Sequence, residues 1–334
     1  MNLIRKISYY LIIFFAVVVV MSTLLSLLYD INVWWIKALD FPRLQLLVAG
    51  FLLIAVFVGL NNRWSFWPVL LIVGLVTAVG LQAYFILPYT SLVKKSVMSA
   101  DVEDVSTGAK IKLLIANVYM HNRQAESFLR IVNQSDPDLV LVMETNQWWV
   151  DELQPLQASY DYHQEYPADN TYGMVLYSRY PLEEMQVEFL QHDSVPSFHT
   201  LVKLSNDRSF RFHGVHPVPP VLSKHPDNEG KQEVALIKVG QMVAQHSQPT
   251  MVAGDFNDVA WSNTSRLFQV DGELNDVRVG RGLYNSFDAT SNFLRWPLDH
   301  VYVSDEFRLV ILKRLGEFGS DHFPIYAELE LTQK

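Results

Sequence analysis

Gly254-Asp255-Phe256-Asn257 and Ser320-Asp321-His322 place acids, an amide and an imidazole where apolar, strand-like runs meet turns. The first follows Pro249-Thr250-Met251-Val252-Ala253, and the second precedes Phe323-Pro324-Ile325-Tyr326-Ala327. Carboxylates, amide oxygens and imidazoles at strand ends are the groups that magnesium-assisted hydrolysis of a phosphate requires. Asp255 and Asn257 stand two apart, and on extended backbone such positions face one side. Asp255 would then orient or deprotonate water, while the Asn257 amide holds that water or a phosphate oxygen. An ordinary Asx turn, with Gly254 supplying backbone freedom, fits the same four residues.

Asn117 and Glu144 also sit at the ends of apolar runs, Ile111–Val118 and Leu139–Met143. A carboxylate at a strand tip needs a cation or hydrogen-bond donors beside it. With an amide oxygen from Asn117, the pair would form a hard oxygen site suited to Mg2+, with Mn2+ as a substitute. Each residue alone is more often an ordinary turn or surface position. Asp321 and His322 are adjacent and so point oppositely along a strand, one toward a metal and the other toward a phosphate. A protonated His322 would stabilise charge on the transferring phosphoryl group. It would need a carboxylate partner, for which Asp299 in Pro297-Leu298-Asp299-His300 is the candidate. His216, in His213-Gly214-Val215-His216-Pro217, could donate to a phosphate oxygen or to the leaving group. His213, on the alternate face, reads as structural. Zinc ligation by these two histidines is the rival, but no further cluster with zinc spacing accompanies them.

The elements that would position these groups alternate quickly. Strand-like runs occur at Gly173–Tyr177, Met185–Phe189, Thr200–Leu204, Phe210–Val215, Thr250–Ala253, Leu298–Val303, Leu309–Leu312 and Pro324–Leu329. Helical spacing occurs at Glu126–Asn133 and, most clearly, at Glu229–Gln245. Many strands with few helices between them predict mixed sheets packed as a sandwich with helices outside, not a doubly wound parallel fold.

Residues 1–90 are of another kind. Apolar stretches at 7–28, 44–60 and 66–87 predict three transmembrane helices, with Trp34, Trp35, Trp64 and Trp67 near their ends as in interfacial aromatic belts. Residues 91–109, polar and turn-rich, read as a linker, and residues 110–334 as a globular domain. Arg5 and Lys6 favour a cytoplasmic N-terminus, although Lys37, Arg43, Lys94 and Lys95 would then lie outside with that domain. The expected location is a bacterial inner membrane, multi-pass, with the globular domain extracytoplasmic.

The chain's 334 residues carry 26 Lys and Arg against 35 Asp and Glu, a formal charge of −9. All of the excess acid lies from Lys110 onward, a formal charge of −11 there, and no dense basic run offsets it. Such a domain is repelled by nucleic-acid backbone unless a bound metal or local patch intervenes. The absence of cysteine excludes disulfides, thiolate metal sites and cysteine nucleophiles.

In order, Asn117 in Ala-Asn-Val, Glu144 in Val-Met-Glu, His216 in Val-His-Pro, Gly254-Asp255-Phe256-Asn257, Asp299 in Leu-Asp-His and Ser320-Asp321-His322 resemble the endonuclease/exonuclease/phosphatase superfamily over about Lys110–Leu331. The resemblance implies a four-layer α/β sandwich of two mixed β-sheets with a divalent metal, usually magnesium, at one end. It implies Asn117 and Glu144 at the metal, with Asp321 helping the metal or the phosphate pocket. Asp255 would activate water, Asn257 would orient it, His216 and His322 would contact phosphate, and Asp299 would hold His322. Abasic-site endonucleases in this superfamily carry Asp two residues after the first Asn, where this chain has Tyr119, which weakens a repair-nuclease reading. The expected substrate is a phosphate ester or anhydride, lipid-linked in preference to nucleic acid, with a membrane-tethered nuclease as the alternative. The lipid bilayer is the expected partner, and no protein partner is expected.

Overall fold

The structure is a computed structural model that describes residues 3–29, 31, 33–100, 110–205, 207–219 and 235–332. It begins with α1 (Leu3–Leu25), α2 (Trp34–Lys37), α3 (Arg43–Leu60) and α4 (Phe66–Ile86). Three segments, Lys6–Leu25, Arg43–Leu60 and Phe66–Tyr89, are long and apolar enough to cross a membrane. The first helix stops short of the expected residue 28, because the chain turns through Ser26–Leu28. Most of the side chains in these helices face outward, as suits contact with lipid tails better than water. A Cβ at Gly50 would stand 2.6 Å from Val79 Cγ2, so this glycine lets α3 and α4 approach closely. At the end nearest α2, fully buried Arg43 pairs with Asp40 and donates to Gln82 Oε1 at 3.2 Å.

The remaining chain continues through β1 (Lys110–Asn117), α5 (Ala125–Ser135), β2 (Leu139–Met143), α6 (Gln147–Leu153), β3 (Tyr162–Tyr166), β4 (Met174–Ser178), β5 (Leu182–Glu188), β6 (Ser197–Lys203) and β7 (Ser209–Gly214). It closes with α7 (Ala235–Ala244), β8 (Thr250–Asp255), α8 (Asn263–Asp271), β9 (Asn275–Asp276), β10 (Asp299–Val303), β11 (Phe307–Arg314) and β12 (Ile325–Leu331). These strands form two mixed sheets, ordered β11-β12-β1-β2-β4-β3 and β5-β6-β7-β8-β10-β9. The start expected for α7, at Glu229, lies outside the described residues.

Alternation along each strand builds the layers. In β1, Leu113 and Ile115 enter the core between the sheets, whereas Leu114 and Ala116 pack outward with α5 and α6 residues such as Phe128 and Trp149. In β8, Met251 and Ala253 face inward, and Val252 meets Val239 of α7 and Phe268 of α8. The result is helices, sheet, sheet and helices, the four-layer α/β sandwich. Each large side chain buried this way contributes about 1.5–3 kcal/mol. Of the stretch expected to be a linker, residues 101–109 lie outside the described residues. The part before it is packed: Val97 enters the inter-sheet core, and the Ala100 N–H donates to the Leu309 carbonyl at 3.0 Å.

Strand direction gathers the polar tips. β1 runs parallel to β2 and antiparallel to β12, while β7 runs parallel to β8 and β8 antiparallel to β10. The C-terminal ends of β1, β2, β7 and β8 therefore share one rim with the N-terminal ends of β10 and β12. In that register Asp255 pairs with Asp299.

Candidate active site

Asn117, at the end of β1, yokes two acids: its Nδ2 donates to Glu144 Oε1 at 2.9 Å and to Asp255 Oδ2 at 3.0 Å. Its Oδ1 accepts the Tyr119 N–H at 3.0 Å. The amide nitrogen thus meets the carboxylates as a donor, and the amide oxygen, which accepts one backbone N–H, keeps a second lone pair. Glu144 follows β2 at φ 61°, a costly backbone conformation for this residue type, and its Oε2 accepts the Met120 N–H at 3.2 Å.

Asp255 is fully buried at the end of β8, where its Oδ1 accepts the Asn257 N–H at 2.8 Å. The expectation that Asp255 and Asn257 share a strand face does not hold, because the strand ends at Asp255 and Asn257 turns to φ 52°. An Asx-type turn brings the pair together instead, and Asn257 Nδ2 donates to the Pro217 carbonyl at 2.9 Å, beside His216. Gly254 permits this packing: at its φ of 147°, a Cβ would lie 1.9 Å from the Val215 oxygen.

Two imidazoles flank Asp255, with Nε2 of His216 and Nε2 of His322 each 3.6 Å from its Oδ2. They differ in charge. Burial pushes His216 down to about 4, so this ring is neutral at pH 7. Burial opposes charge on His322 too, but Asp299 and Asp255 overcome it and hold the ring's pKa up at about 10. Asp299 Oδ2 lies 2.7 Å from His322 Nδ1, and the Asp299 N–H donates to Ser286 Oγ at 3.0 Å. Ser320 Oγ accepts the His322 N–H at 3.0 Å and donates to the Asn117 carbonyl at 2.8 Å, tying two distant motifs together.

His213 lies apart from His216. Its Nδ1 is 2.6 Å from Nδ1 of His199, and burial keeps both rings neutral. The two histidines that spacing alone offers as a zinc pair therefore occupy different surroundings.

Glu144, Asp255 and Asp321 crowd one electrostatic field. Burial pushes Glu144 up, and repulsion from Asp255 and Asp321 adds to it. Asp321 is raised by burial and again by Asp255, against the pull of His322. Asp299 Oδ1 and His216 Nδ1 are buried without a hydrogen-bond partner. Carboxylates pressed together in this way, with no thiolate nearby, suit a hard divalent cation. Asp255, Asp299 and His322 also offer ligand atoms within 4.8 Å of one another. Nδ1 of His322 is already engaged by Asp299 Oδ2, so that ring atom is not free to bind an ion.

The structure thus brings together all eight residues singled out in the sequence, and it adds others. Tyr172 packs its ring 5.3 Å from His216, and Phe287 packs 4.9 Å from His322. Neither belongs to a short motif. Trp261 and Trp296 tie the loops after β8 and before β10 to the segment that precedes α3: their Nε1 atoms donate at 2.7 Å to the carbonyls of Asp40 and Phe41, respectively. Tyr89 Oη donates to the Ala260 carbonyl at 2.9 Å, and Phe85, Ile86, Trp261 and Leu298 share one apolar cluster. The loop after β8, which carries Asn257 and follows Asp255, and the loop that leads into Asp299 at the start of β10 therefore rest on the ends of the long helices.

Residues 114–322 match the model of the Endonuclease/Exonuclease/phosphatase family. Among solved structures, the chain is similar to D. rerio TDP2 complexed with single-strand DNA product, at 16% identity and TM-score 0.55, over 66% of this chain and 99% of that one. It is similar to a family protein from Bacteroides thetaiotaomicron at 17% identity and TM-score 0.53, over 68% and 100%. The human nocturnin catalytic domain with bound sulfate anion aligns at 14% identity and TM-score 0.52, over 68% and 97%. No curated protein matched significantly.

Proposed function

Because the chain belongs to the endonuclease/exonuclease/phosphatase family, whose members hydrolyse phosphate ester bonds with divalent metals, we propose that it is a membrane-anchored, magnesium-dependent phosphoesterase acting on a lipid-linked phosphate. Residues 1–90 would anchor it by three spans, and residues 110–334 would carry the chemistry. The single observation behind the lipid reading is the seating of both site loops on the membrane helices, through Trp261 to Asp40 and Trp296 to Phe41. A site held at the foot of the spans meets lipid headgroups before it meets soluble polymers.

Glu144 and Asp321 would hold the cation, with Asn117 fixing Glu144 against Asp255. When bound, Mg2+ would neutralise phosphate oxygens and the charge that builds on them. Asp255, fully buried and aimed by Asn117 and the Asn257 N–H, orients water and takes its proton. The His322 imidazolium, locked by Asp299, opposes the negative charge of the transferring phosphoryl group. His216, a neutral donor, contacts a phosphate oxygen or the leaving group, and Asn257 holds the His216-Pro217 turn in place.

The test is a substrate panel for full-length protein in detergent with magnesium: a lipid pyrophosphate, sphingomyelin and plasmid DNA side by side. Preferential release from a lipid supports the reading. Cleavage of DNA alone would establish the nuclease alternative, in keeping with the single-strand DNA product held by D. rerio TDP2. We also place the catalytic domain outside the cytoplasm of a bacterial inner membrane. A reporter active only in the cytoplasm, fused after Lys334, should be silent.

A further inference from the structure

Between Phe287 and Trp296 the chain makes a closed excursion, its base joined by a backbone bridge between those two residues. The base belongs to the site wall, since the Phe287 ring packs on His322 and the Ala289 N–H donates to the Asp321 carbonyl at 2.7 Å. The tip is apolar and open: Phe293 is 88% exposed and Leu294 53% exposed. Large apolar side chains side by side at a loop tip mark a contact surface.

The position of the tip names the occupant. Gln45 lies in the first turn of the span Arg43–Leu60, and its Nε2 donates to the Phe293 carbonyl at 3.4 Å, so the tip lies beside the start of that span. Trp296, at the base, is tied to Phe41 just before it. Behind the tip, the guanidinium of Arg295 stands 5.0 Å from the ring centroid of Phe323, and that of Arg314 stands 4.3 Å from the same centroid. Apolar side chains level with the helix and cations one step back follow the order of acyl chains and lipid phosphates. We infer that Phe293 and Leu294 insert into the bilayer leaflet adjoining the catalytic domain and hold the mouth of the site at headgroup depth. A lipid phosphate would then enter sideways from the leaflet. This inference rests on the reading that the long helices span a bilayer.

Because the chain has no cysteine, a single introduced one can be spin-labelled uniquely. Full-length Phe293→Cys and Val56→Cys would be labelled and reconstituted in phosphatidylethanolamine and phosphatidylglycerol vesicles. Collisions would be measured with lipid-soluble oxygen and with a water-soluble nickel chelate. Val56, outward-facing on α3, reports the spans themselves. Oxygen contact well above nickel contact at both positions is the expected result. Oxygen preference at Val56 with nickel preference at Phe293 overturns the inserted tip and leaves the anchor intact. Shielding of Phe293 from both reagents overturns it in favour of a protein covering, and nickel preference at Val56 removes the membrane reading along with it.

Discussion

Nδ1 of His322 and Oδ2 of Asp299 lie 2.7 Å apart, both buried, although the residues are 23 apart in sequence. The contact keeps the ring charged where burial alone would discharge it. The folded-state pKa of about 10 exceeds the ordinary 6.5, so the stability contributed by the charged ring is complete below about pH 6.5. It is lost as pH rises from there toward 10. Unfolding measured with metal chelated should therefore show the protein losing on the order of 5 kcal/mol across that window. Asp299→Asn should flatten the decline and move the alkaline limb of kcat/KM to lower pH. An unchanged limb would remove Asp299 from its positioning role.

Replacing Asp255 by Asn keeps an oxygen for the Asn117 amide and removes the base. Turnover should fall about 10²–10⁴-fold. The melting temperature should hold or rise, because one of three mutually repelling carboxylates is gone. Activity within a few-fold of the parent would show that another group takes the proton.

Magnesium should bind the folded chain and not the unfolded one. Saturation at a hundred times Kd should add about 2.7 kcal/mol to stability, and EDTA should remove both that increment and activity. Glu144→Gln and Asp321→Asn should blunt the thermal shift even where no substrate is present. A full shift in both variants would move the metal elsewhere.

Trp261→Phe and Trp296→Phe each leave a carbonyl at the foot of the spans without its donor. Each should cost about 1–3 kcal/mol in detergent melts. Hydrolysis of a lipid substrate in vesicles should suffer more than that of a small soluble phosphodiester, because the loops lose their register with the helices. Equal losses on both would mean that the tryptophans serve packing alone.

Much of the site was legible because it sits at strand ends, where an apolar run stops on a polar residue: Asn117, Glu144 and Asp255 all announce themselves this way. The geometry inside each motif was not. Strand periodicity put Asp255 and Asn257 on one face, yet the chain leaves the strand at Asp255 and a left-handed Asn257 makes the pair. The edge strand β3, Tyr-His-Gln-Glu-Tyr, escaped notice because its half-exposed residues carry no apolar rhythm. Tyr172 on His216 and Phe287 on His322 are contacts across loops, for which local pattern holds no signal. The docking of Asp40 and Phe41 onto the site loops was hidden for the same reason.

The pairing of β1 with β12 sets a timetable for synthesis. β1 is translated long before its neighbour β12. His322 and Asp321, just ahead of that strand, arrive as late. A nascent chain therefore presents Asn117 and Glu144 before Asp321 and His322 exist to join them. The site is whole only once β12 has been made, and a chain that stops before that strand should be inactive.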